Sequence, residues 1–276
     1  MRLLFTVASQ EQFMTAVEHC QRSIAQGDAT QIVLSQRLST PIEAAPLDIY
    51  RVLRTLNPSP YMFYLQLPGF QLIGSSPELM VQARAGQVAV RPIAGTRPRG
   101  SDPEEDAQLA RQLLADEKER TEHLMLVDLG CNDLEQVCEE GSVRVDERMG
   151  IERYSHVMHL VSHVTGRLAK ERTLFDLLRA TFPAGTVSGA PRARAMEIID
   201  ELEPVRRGPY AGCVGHIGFG EVMNTCITIR TLVVKDGLAH VQAGAGIVAA
   251  SNPAKEYEET LSKARVLLQA ASVQRH

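Results

Sequence analysis

The sequence predicts an α+β fold in which antiparallel β-sheets pack against helices. Strand-like segments between residues 61 and 93 are joined by tight turns such as Leu67–Pro68–Gly69 and Ala85–Gly86. Parallel strands need a crossover connection of a dozen or more residues, so these strands are expected to be antiparallel. A charged helical pattern then runs from Pro103 to Val127. Strands in runs and helices in runs, rather than in strict alternation, favour the α+β class.

The remaining elements have local signals of their own. Ser9 and Gln12 have the spacing of a capping box at a helix start, and Gly27 marks the end of that helix. Residues 91–100 resemble a basic loop with a turn at Gly95 and Thr96. Further helices are predicted at 47–56, 174–181, 191–202 and 253–271, and further strands at 1–7, 29–39, 142–148, 159–168, 213–220, 225–234 and 239–246.

The composition excludes several classes of protein. The chain has 276 residues, a net charge of −4 and a pI of about 6.1, so it lacks the basic surplus typical of nucleic-acid or anionic-membrane binding. The five cysteines form no CxxC pair, which favours reduced thiols in the cytoplasm over a disulfide framework or a zinc site. No apolar run reaches membrane-spanning length. No linker divides the chain, so residues 1–276 are expected to form one domain.

The C-terminal helix gives the first indication of function. Glu256 and Glu259 are three residues apart and share one helix face, which in isolation is more typical of a solvated surface. They follow the glycine run of residues 241–251, where backbone N–H groups can approach a ligand closely. The segment 182–204 is expected to lead straight into a helix N-terminus, where an anion is favoured. Together with Glu122, these features suggest a small dianionic ligand and a hard divalent cation such as Mg²⁺.

Seven ordered motifs make the expected function more specific. They are PIAGTRPRG, EHLMLVDLGCNDL, YSHVMHLVSHVTG, FPAGTVSGAPRARAMEIIDELEP, RRGPYAGCVGHIGF, TCITIRT and AGAGIVAASNPAKEYEET. Together they resemble the chorismate-utilising enzymes over nearly the whole chain, and they are most similar to the anthranilate synthase component I branch of that family. The resemblance implies an α+β fold, in agreement with the strand and helix pattern, and it implies binding of chorismate and Mg²⁺.

The resemblance also assigns roles to individual residues. Glu122, Glu256 and Glu259 match the carboxylates of the family's metal site. His159 matches the active-site histidine, and Glu78 matches the carboxyl group that protonates the departing C4 hydroxyl, a task that a raised pKa would suit. The residues implied to bind the substrate are Gly95, Thr96, Thr186, Ser188, Tyr210, Arg230, Gly244, Ala245, Gly246 and Lys263.

Two positions indicate which reaction the family resemblance implies. Water-adding members resemble one another in carrying lysine at the position of Gln31, and aminodeoxychorismate synthases often carry lysine at the position of Ala94. Without these lysines, the resemblance implies that ammonia attacks C2, the C4 hydroxyl leaves and pyruvate is eliminated to give anthranilate for tryptophan biosynthesis. The ammonia is expected from a glutamine amidotransferase subunit or from solution. Tyr210 and Arg230 are expected to hold the enolpyruvyl carboxylate, because arginine pairs with carboxylates in a bidentate manner.

Two alternatives stay open at the level of the sequence. One is aminodeoxychorismate synthesis without the lysine nucleophile. The other is a chorismate-binding homologue with impaired catalysis, because Cys131 stands where the family usually has arginine and the family's N-terminal region, with its tryptophan feedback site, is expected to be absent. A sheet edge left open in this way is expected to be covered by a partner or by a second copy of the chain.

Overall fold

The computed structural model describes residues 5–154 and 157–272. The helices in this part of the chain are α1 Gln10–Ala25, α2 Pro46–Leu56, α3 Pro103–Ala115, α4 Glu117–Glu135, α5 Leu174–Thr181, α6 Gly185–Ser188, α7 Arg192–Leu202 and α8 Pro253–Ala271. The strands are β1 Phe5–Thr6, β2 Gln31–Pro41, β3 Tyr61–Leu67, β4 Phe70–Ser76, β5 Leu79–Arg84, β6 Gln87–Val90, β7 Ile93–Pro98, β8 Arg144–Arg153, β9 Val157–Arg167, β10 Gly189–Ala190, β11 Cys213–Gly218, β12 Val222–Ile227, β13 Thr231–Lys235 and β14 Leu238–Ile247. None of these helices combines the length and the apolar character needed to cross a membrane.

The predicted α+β class is confirmed, because two antiparallel sheets carry packed helices. The chain divides into two compact units. Unit 1 comprises Met1–Pro77, Pro183–Val214 and Ile227–His276, and unit 2 comprises Glu78–Phe182 and Gly215–Cys226. Unit 2 is therefore formed largely by a continuous segment of the chain, whereas unit 1 is assembled from three.

The sheet of unit 1 has the strand order β1-β2-β14-β13-β4-β3, with β10 also paired to β2. Helices α1, α2 and α8 pack against this sheet or against each other. Ile32, Leu38 and Val241 are fully buried within the resulting core. The long β2 and β14 strands are thus neighbours within the sheet of unit 1, and the glycine run of the C-terminal region lies on β14.

Helix α8 is fixed at its start and along its buried face. The Asn252 side chain accepts a hydrogen bond from the Lys255 N–H at 3.1 Å, and Pro253 occupies the first turn, where no N–H partner is needed. Gln36 Nε2 of β2 donates to Thr260 Oγ1 at 2.6 Å in a buried contact. These contacts set the rotation of α8 on the sheet, and hence the position of the acidic residues in its first turns.

The sheet of unit 2 has the strand order β11-β12-β5-β6-β9-β7, and β8 also pairs with β9. Strand β7 covers residues for which a basic loop with a turn was expected, and that expectation was wrong. The β7–β9 register shifts between Ala94 and Thr96, and Gly95 adopts a φ of 70°. A bulge of this kind absorbs one left-handed residue without ending the strand.

Two other predicted segments are interrupted in the structure. The charged pattern of residues 103–127 forms two helices, because the Asp116 side chain accepts hydrogen bonds from the Lys118 and Glu119 N–H groups and starts α4. The predicted strand 225–234 is divided into β12 and β13 by Arg230, which has a φ of 49°. In both places one local conformation ends an otherwise continuous pattern.

Asp106 joins three segments of unit 2. Its carboxylate accepts hydrogen bonds from Arg99 Nε at 2.6 Å, the Gly100 N–H at 3.0 Å and Arg153 Nε at 2.9 Å. The Arg99 hydrogen bond, followed by the Gly100 N–H, holds the pKa of Asp106 well below its ordinary value. A carboxylate with a lowered pKa in the folded state stabilises the fold above its unfolded pKa, and this contribution is lost as the pH falls through the folded pKa.

We therefore expect Asp106→Asn to lower the urea midpoint at pH 7, measured by far-UV circular dichroism. The difference from wild type should shrink as the pH falls below about 4, because the carboxylate of the unfolded chain then takes up a proton while the folded one is still charged, which favours unfolding of the wild type. Asp48→Asn is the matched control, since Asp48 pairs with Arg51 at a site where both side chains are at least half exposed. A difference that stays constant down to the lowest pH would show that the Asp106 charge is not the cause.

Candidate functional site

The residues that the resemblance assigns divide between the two units. Unit 2 contains Glu78, Gly95, Thr96, Glu122 and His159. Unit 1 contains Thr186, Ser188, Tyr210, Arg230, Gly244, Ala245, Gly246, Glu256, Glu259 and Lys263.

Strand β14 of unit 1 has one edge outside strand pairing over residues 242–247. Strand β2 pairs with all of β14, whereas β13 pairs only with its first four residues in the described part of the chain. The Gly244 carbonyl lies on this second edge, which faces away from β2, and it accepts a hydrogen bond there from Lys263 Nζ at 2.8 Å. Backbone groups alternate between the two edges of a strand, so the Gly246 N–H shares the second edge and the backbone of Ala245 faces β2.

Gly244 also permits the close approach of a tyrosine. A Cβ atom at position 244 would lie 2.7 Å from Tyr210 Oη and 2.9 Å from the Leu34 carbonyl oxygen. Both distances are too short for a carbon atom, and the second partner is backbone that cannot move aside. The phenol oxygen of Tyr210 is therefore held beside the β14 backbone only because this residue is glycine.

We expect Gly244→Ala to lower the free energy of unfolding by about 1–3 kcal/mol, as overpacking does, and to raise the KM for chorismate by displacing Tyr210. Urea unfolding and steady-state kinetics measure the two effects. Gly150→Ala is the matched control, because a Cβ atom there meets only the Val161 carbonyl oxygen at 3.7 Å. Equal kinetics in the two variants would contradict the proposed contact.

The acidic side chains of α8 differ in exposure. Glu256 is 9% exposed, whereas the Glu259 side chain is 47% exposed and its Oε1 lies 2.6 Å from Lys263 Nζ. Within the described ranges, no three His, Cys, Asp or Glu side chains form a metal cluster by themselves. Mg²⁺ commonly takes one or two carboxylates and completes its shell with water and ligand oxygens. Glu256 and Glu259 are therefore the two carboxylates of this helix that could contribute to such a site, as the sequence predicts.

The segment with Thr186 and Ser188 differs from the expectation of a helix N-terminus. It forms the four-residue α6 and is separated from α7 by β10, which pairs with β2. Gly189 makes this possible, since it has a φ of 125° and a Cβ atom there would lie 2.2 Å from the Gln31 carbonyl oxygen. The Ser188 hydroxyl donates to the Ala184 carbonyl at 2.9 Å, whereas Thr186 Oγ1 is buried without a hydrogen-bond partner in the structure. The Thr186 hydroxyl thus suits a polar ligand group.

Arg230 lies at the turn between β12 and β13. It is half-buried, and its carbonyl accepts a hydrogen bond from the Ser75 N–H at 3.1 Å. A left-handed conformation costs about 1–2 kcal/mol for a residue other than glycine.

In unit 2, the ring of His159 is oriented by β7. Its Nδ1 lies 3.2 Å from the Gly95 carbonyl oxygen and 3.0 Å from Thr96 Oγ1. A carbonyl oxygen only accepts, so the network assigns the proton to Nδ1 and leaves the lone pair of a neutral ring on Nε2. The Tyr154 ring packs edge-on against the imidazole, with ring centres 5.6 Å apart. The bulge at Gly95 therefore gives His159 both a fixed orientation and a defined tautomer.

The two carboxyl groups assigned to unit 2 are both half-buried. Glu122 lies on α4, and Glu78 precedes β5 directly. The neighbouring His123 is fully buried, its Nε2 lies 2.6 Å from Ser162 Oγ, and burial lowers its pKa to about 4. His123 is therefore a neutral packing residue, and the half-buried Glu122 is the acidic residue beside it.

The Cys131 substitution does not leave an unpaired buried charge. Asp128 is exposed to solvent, and Asp133 is half-buried and has an interaction partner. Burial raises the pKa of the Cys131 thiol, as do the nearby charges of Glu135 and Asp128. The absence of the usual arginine is therefore tolerated without the cost of an uncompensated charge.

The structure also shows a pair of residues that sequence reasoning missed. Arg207 Nη2 lies 2.6 Å from Glu203 Oε1, and the two side chains are 17% and 4% exposed. The Arg207 guanidinium also lies 5.3 Å from the centre of the Tyr210 ring. Opposite charges four residues apart within the motif region were the available signal, but the spacing alone does not distinguish a buried pair from a surface pair.

Comparison with known proteins identifies the family. The model of the chorismate binding enzyme family matches residues 3–269. The chain is 58% identical over 263 residues to anthranilate synthase component 1 from Streptomyces coelicolor, and 59% identical over 272 residues to the protein of the same name from Synechocystis. Both alignments cover 95% of this chain, but only 52% and 53% of the relatives. The chain thus spans about half the length of the curated relatives that it matches.

Solved structures support the same relationship. Anthranilate synthase component I from Streptococcus pneumoniae is similar with a TM-score of 0.91 and 45% identity, covering 96% of this chain and 59% of that chain. The menaquinone-specific isochorismate synthase from Escherichia coli has a TM-score of 0.90 at 25% identity, covering 99% of this chain and 63% of that chain. The motifs, the fold and the match over residues 3–269 agree, and the chain belongs to the chorismate binding enzyme family.

Proposed function

We propose that this chain converts chorismate and ammonia to anthranilate, pyruvate and water in the presence of Mg²⁺. The observation that carries the proposal is its 53–59% identity to relatives named anthranilate synthase component 1. The relatives are numbered as components, and we propose that a glutamine amidotransferase subunit supplies the ammonia. The product would serve tryptophan biosynthesis.

Two side chains favour addition of ammonia over competing reactions. Gln31 is 3% exposed, and an amide side chain cannot act as the base that water addition needs. Ala94 has no nucleophilic group that could attack the ring. Neither position offers a water-activating or covalent route.

We assign the proton transfers to two residues of unit 2. Ammonia adds to C2 while the ring double bonds shift and the C4 hydroxyl leaves as water, with a proton from Glu78. The C2 proton is then removed, its electron pair becomes part of the aromatic ring, and the C3–O bond breaks to release the enolate of pyruvate, which takes up a proton at its methylene carbon to give pyruvate. His159 Nε2 suits the removal of that proton, because the Gly95 carbonyl holds the ring proton on Nδ1.

The residues of unit 1 suit recognition of the substrate. Arg230 and Tyr210 would hold the enolpyruvyl carboxylate, together with the Gly244 and Gly246 backbone on the second edge of β14. Glu256 and Glu259 would hold Mg²⁺, and the resemblance adds Glu122 as a further ligand. When bound, Mg²⁺ supplies charge neutralisation for a substrate carboxylate. The positive charge of Lys263 beside Glu259 limits repulsion between carboxylates.

The proposal is tested by incubating the purified chain with chorismate, Mg²⁺ and concentrated ammonium at alkaline pH. Anthranilate fluorescence and pyruvate release should rise together and should disappear with EDTA. Glutamine alone should give no product without the partner subunit. An aminated product without pyruvate would instead indicate aminodeoxychorismate synthesis, and Mg²⁺-dependent binding without turnover would indicate an impaired homologue.

A further inference from the structure

Between its two short neighbours, strand β2 has an edge segment without a partner strand. Strand β10 pairs with Gln31 and Ile32, and β1 pairs with Leu38 and Ser39. Between these pairs, in the described part of the chain, side chains bind the backbone of Val33 and Ser35, while the Arg37 carbonyl accepts a hydrogen bond from the Val7 N–H at 3.2 Å. The Ser35 N–H donates to Glu203 Oε1 at 2.8 Å.

Arg207 provides a second side-chain hydrogen bond to this edge segment of β2. Its Nη2 donates to the Val33 carbonyl at 2.7 Å, and its Nε donates to Glu203 Oε2 at 2.9 Å. Its Nη1 donates to the Val187 carbonyl at 2.6 Å, between Thr186 and Ser188 of α6. One guanidinium thus joins β2, α6 and Glu203 while lying against the Tyr210 ring.

The same network extends through Ser35 to strand β14. Ser35 Oγ donates to Glu203 Oε1 at 2.7 Å and accepts from Gln242 Nε2 at 2.8 Å. Ser35 is also the residue of β2 directly opposite Gly244. Tyr210 therefore lies between two residues. Arg207 packs against its ring, and Gly244, which has no Cβ atom, leaves room for its hydroxyl.

We propose that Glu203 and Arg207 are positioning residues that set Tyr210 and the Thr186 segment for chorismate, without contacting the substrate themselves. This inference rests on the proposed function. Four hydrogen bonds to protein atoms occupy the Arg207 guanidinium, so little of its donor capacity remains for a ligand. Burial lowers the pKa of Arg207, but the hydrogen bonds and charge of Glu203 outweigh this effect and raise it.

The pair is better explained by positioning than by stability. A buried ion pair is often no more stabilising than apolar side chains of similar volume, whereas removal of one partner is strongly destabilising. Lysine cannot reproduce the planar set of donors that joins three segments. Stability and substrate affinity can therefore be separated by comparing single and double variants.

The experiment compares two variants. One is the single variant Arg207→Lys, and the other is a double variant that carries both Glu203→Leu and Arg207→Met. The single variant should raise the KM for chorismate at least about tenfold, with a smaller change in kcat, because misplaced binding groups weaken substrate capture. The double variant should recover the urea midpoint of the wild type but keep the raised KM. Arg51→Lys is the matched control, since Arg51 pairs with Asp48 on an exposed helix face, and its KM should equal that of the wild type.

A double variant with recovered stability and an unchanged KM would overturn the positioning role. Calorimetric titration with chorismate and Mg²⁺ separates this inference from the proposed reaction. If the wild type binds chorismate without turnover, the proposed reaction is wrong. A dissociation constant for chorismate that is tenfold higher in the double variant than in the wild type would still support positioning. A wild-type chain that binds no chorismate would overturn both.

Discussion

Replacement of His159 by alanine is expected to lower kcat by about 10²–10⁴-fold, the usual contribution of a positioned acid or base. The Gly95 carbonyl and Thr96 hydroxyl hold Nδ1, so the variant loses a group whose proton position is fixed before substrate binds. Binding groups on unit 1 are unchanged, and the KM for chorismate should change by much less than kcat. Chorismate consumption and pyruvate release, followed separately, show which half of the reaction is slowed.

His216→Ala serves as the control for this variant. His216 lies on β11 and is exposed, so its loss should leave both kinetic constants near those of the wild type. His159→Gln adds a second comparison, because the amide retains hydrogen bonding but cannot take up a proton. Activity in the glutamine variant close to that of the wild type would rule out a role of His159 in proton transfer.

Glu256→Gln is expected to lower kcat/KM by about 10²-fold or more, a loss typical for a group that stabilises charge in an active site. The substitution keeps the size of a side chain that is only 9% exposed, so a cavity is not the cause of the effect. The remaining activity should require a higher Mg²⁺ concentration for half saturation. A Mg²⁺ titration of chorismate binding by calorimetry gives a readout that does not depend on turnover.

Glu258→Gln is the matched control for this proposed metal ligand. Glu258 lies on the same helix turn, carries the same charge and is exposed. The two variants therefore make the net charge of −4 less negative by the same amount, and a general electrostatic effect would appear in both. If Glu256→Gln and Glu258→Gln show the same Mg²⁺ dependence, the assignment of Glu256 to the metal is wrong.

Local signals predicted much of the fold. The capping box of Ser9 and Gln12 is present, and Gly27 adopts a φ of 85° at the end of α1, as expected. Helix α8 begins at Pro253, as the proline predicted, and the structure adds the Asn252 cap. These features depend on residues within one turn of one another, so the sequence contains the whole interaction.

Features that depend on distant partners were not predictable in the same way. The bulge at Gly95 forms against β9, and Glu203 meets Ser35 across 168 residues of sequence. The motifs indicated Tyr210, but nothing within its neighbourhood in the chain showed that Gly244 would admit its hydroxyl. The candidate site residues therefore came from resemblance, whereas their orientation came only from the structure.

The pairing of β2 with β14 has a consequence for how the chain folds. Ser39 Oγ and His240 Nδ1 meet at 2.8 Å although 201 residues separate them, so the central sheet of unit 1 cannot close until almost the whole described chain has left the ribosome. Most of unit 2 is encoded in between, by the continuous segment Glu78–Phe182, and its contacts can form earlier. Long-range pairing of this kind is slow and leaves strand edges exposed to aggregation. During synthesis, the edge of β2 that later pairs with β14 therefore stays without that partner while most of unit 2 is made.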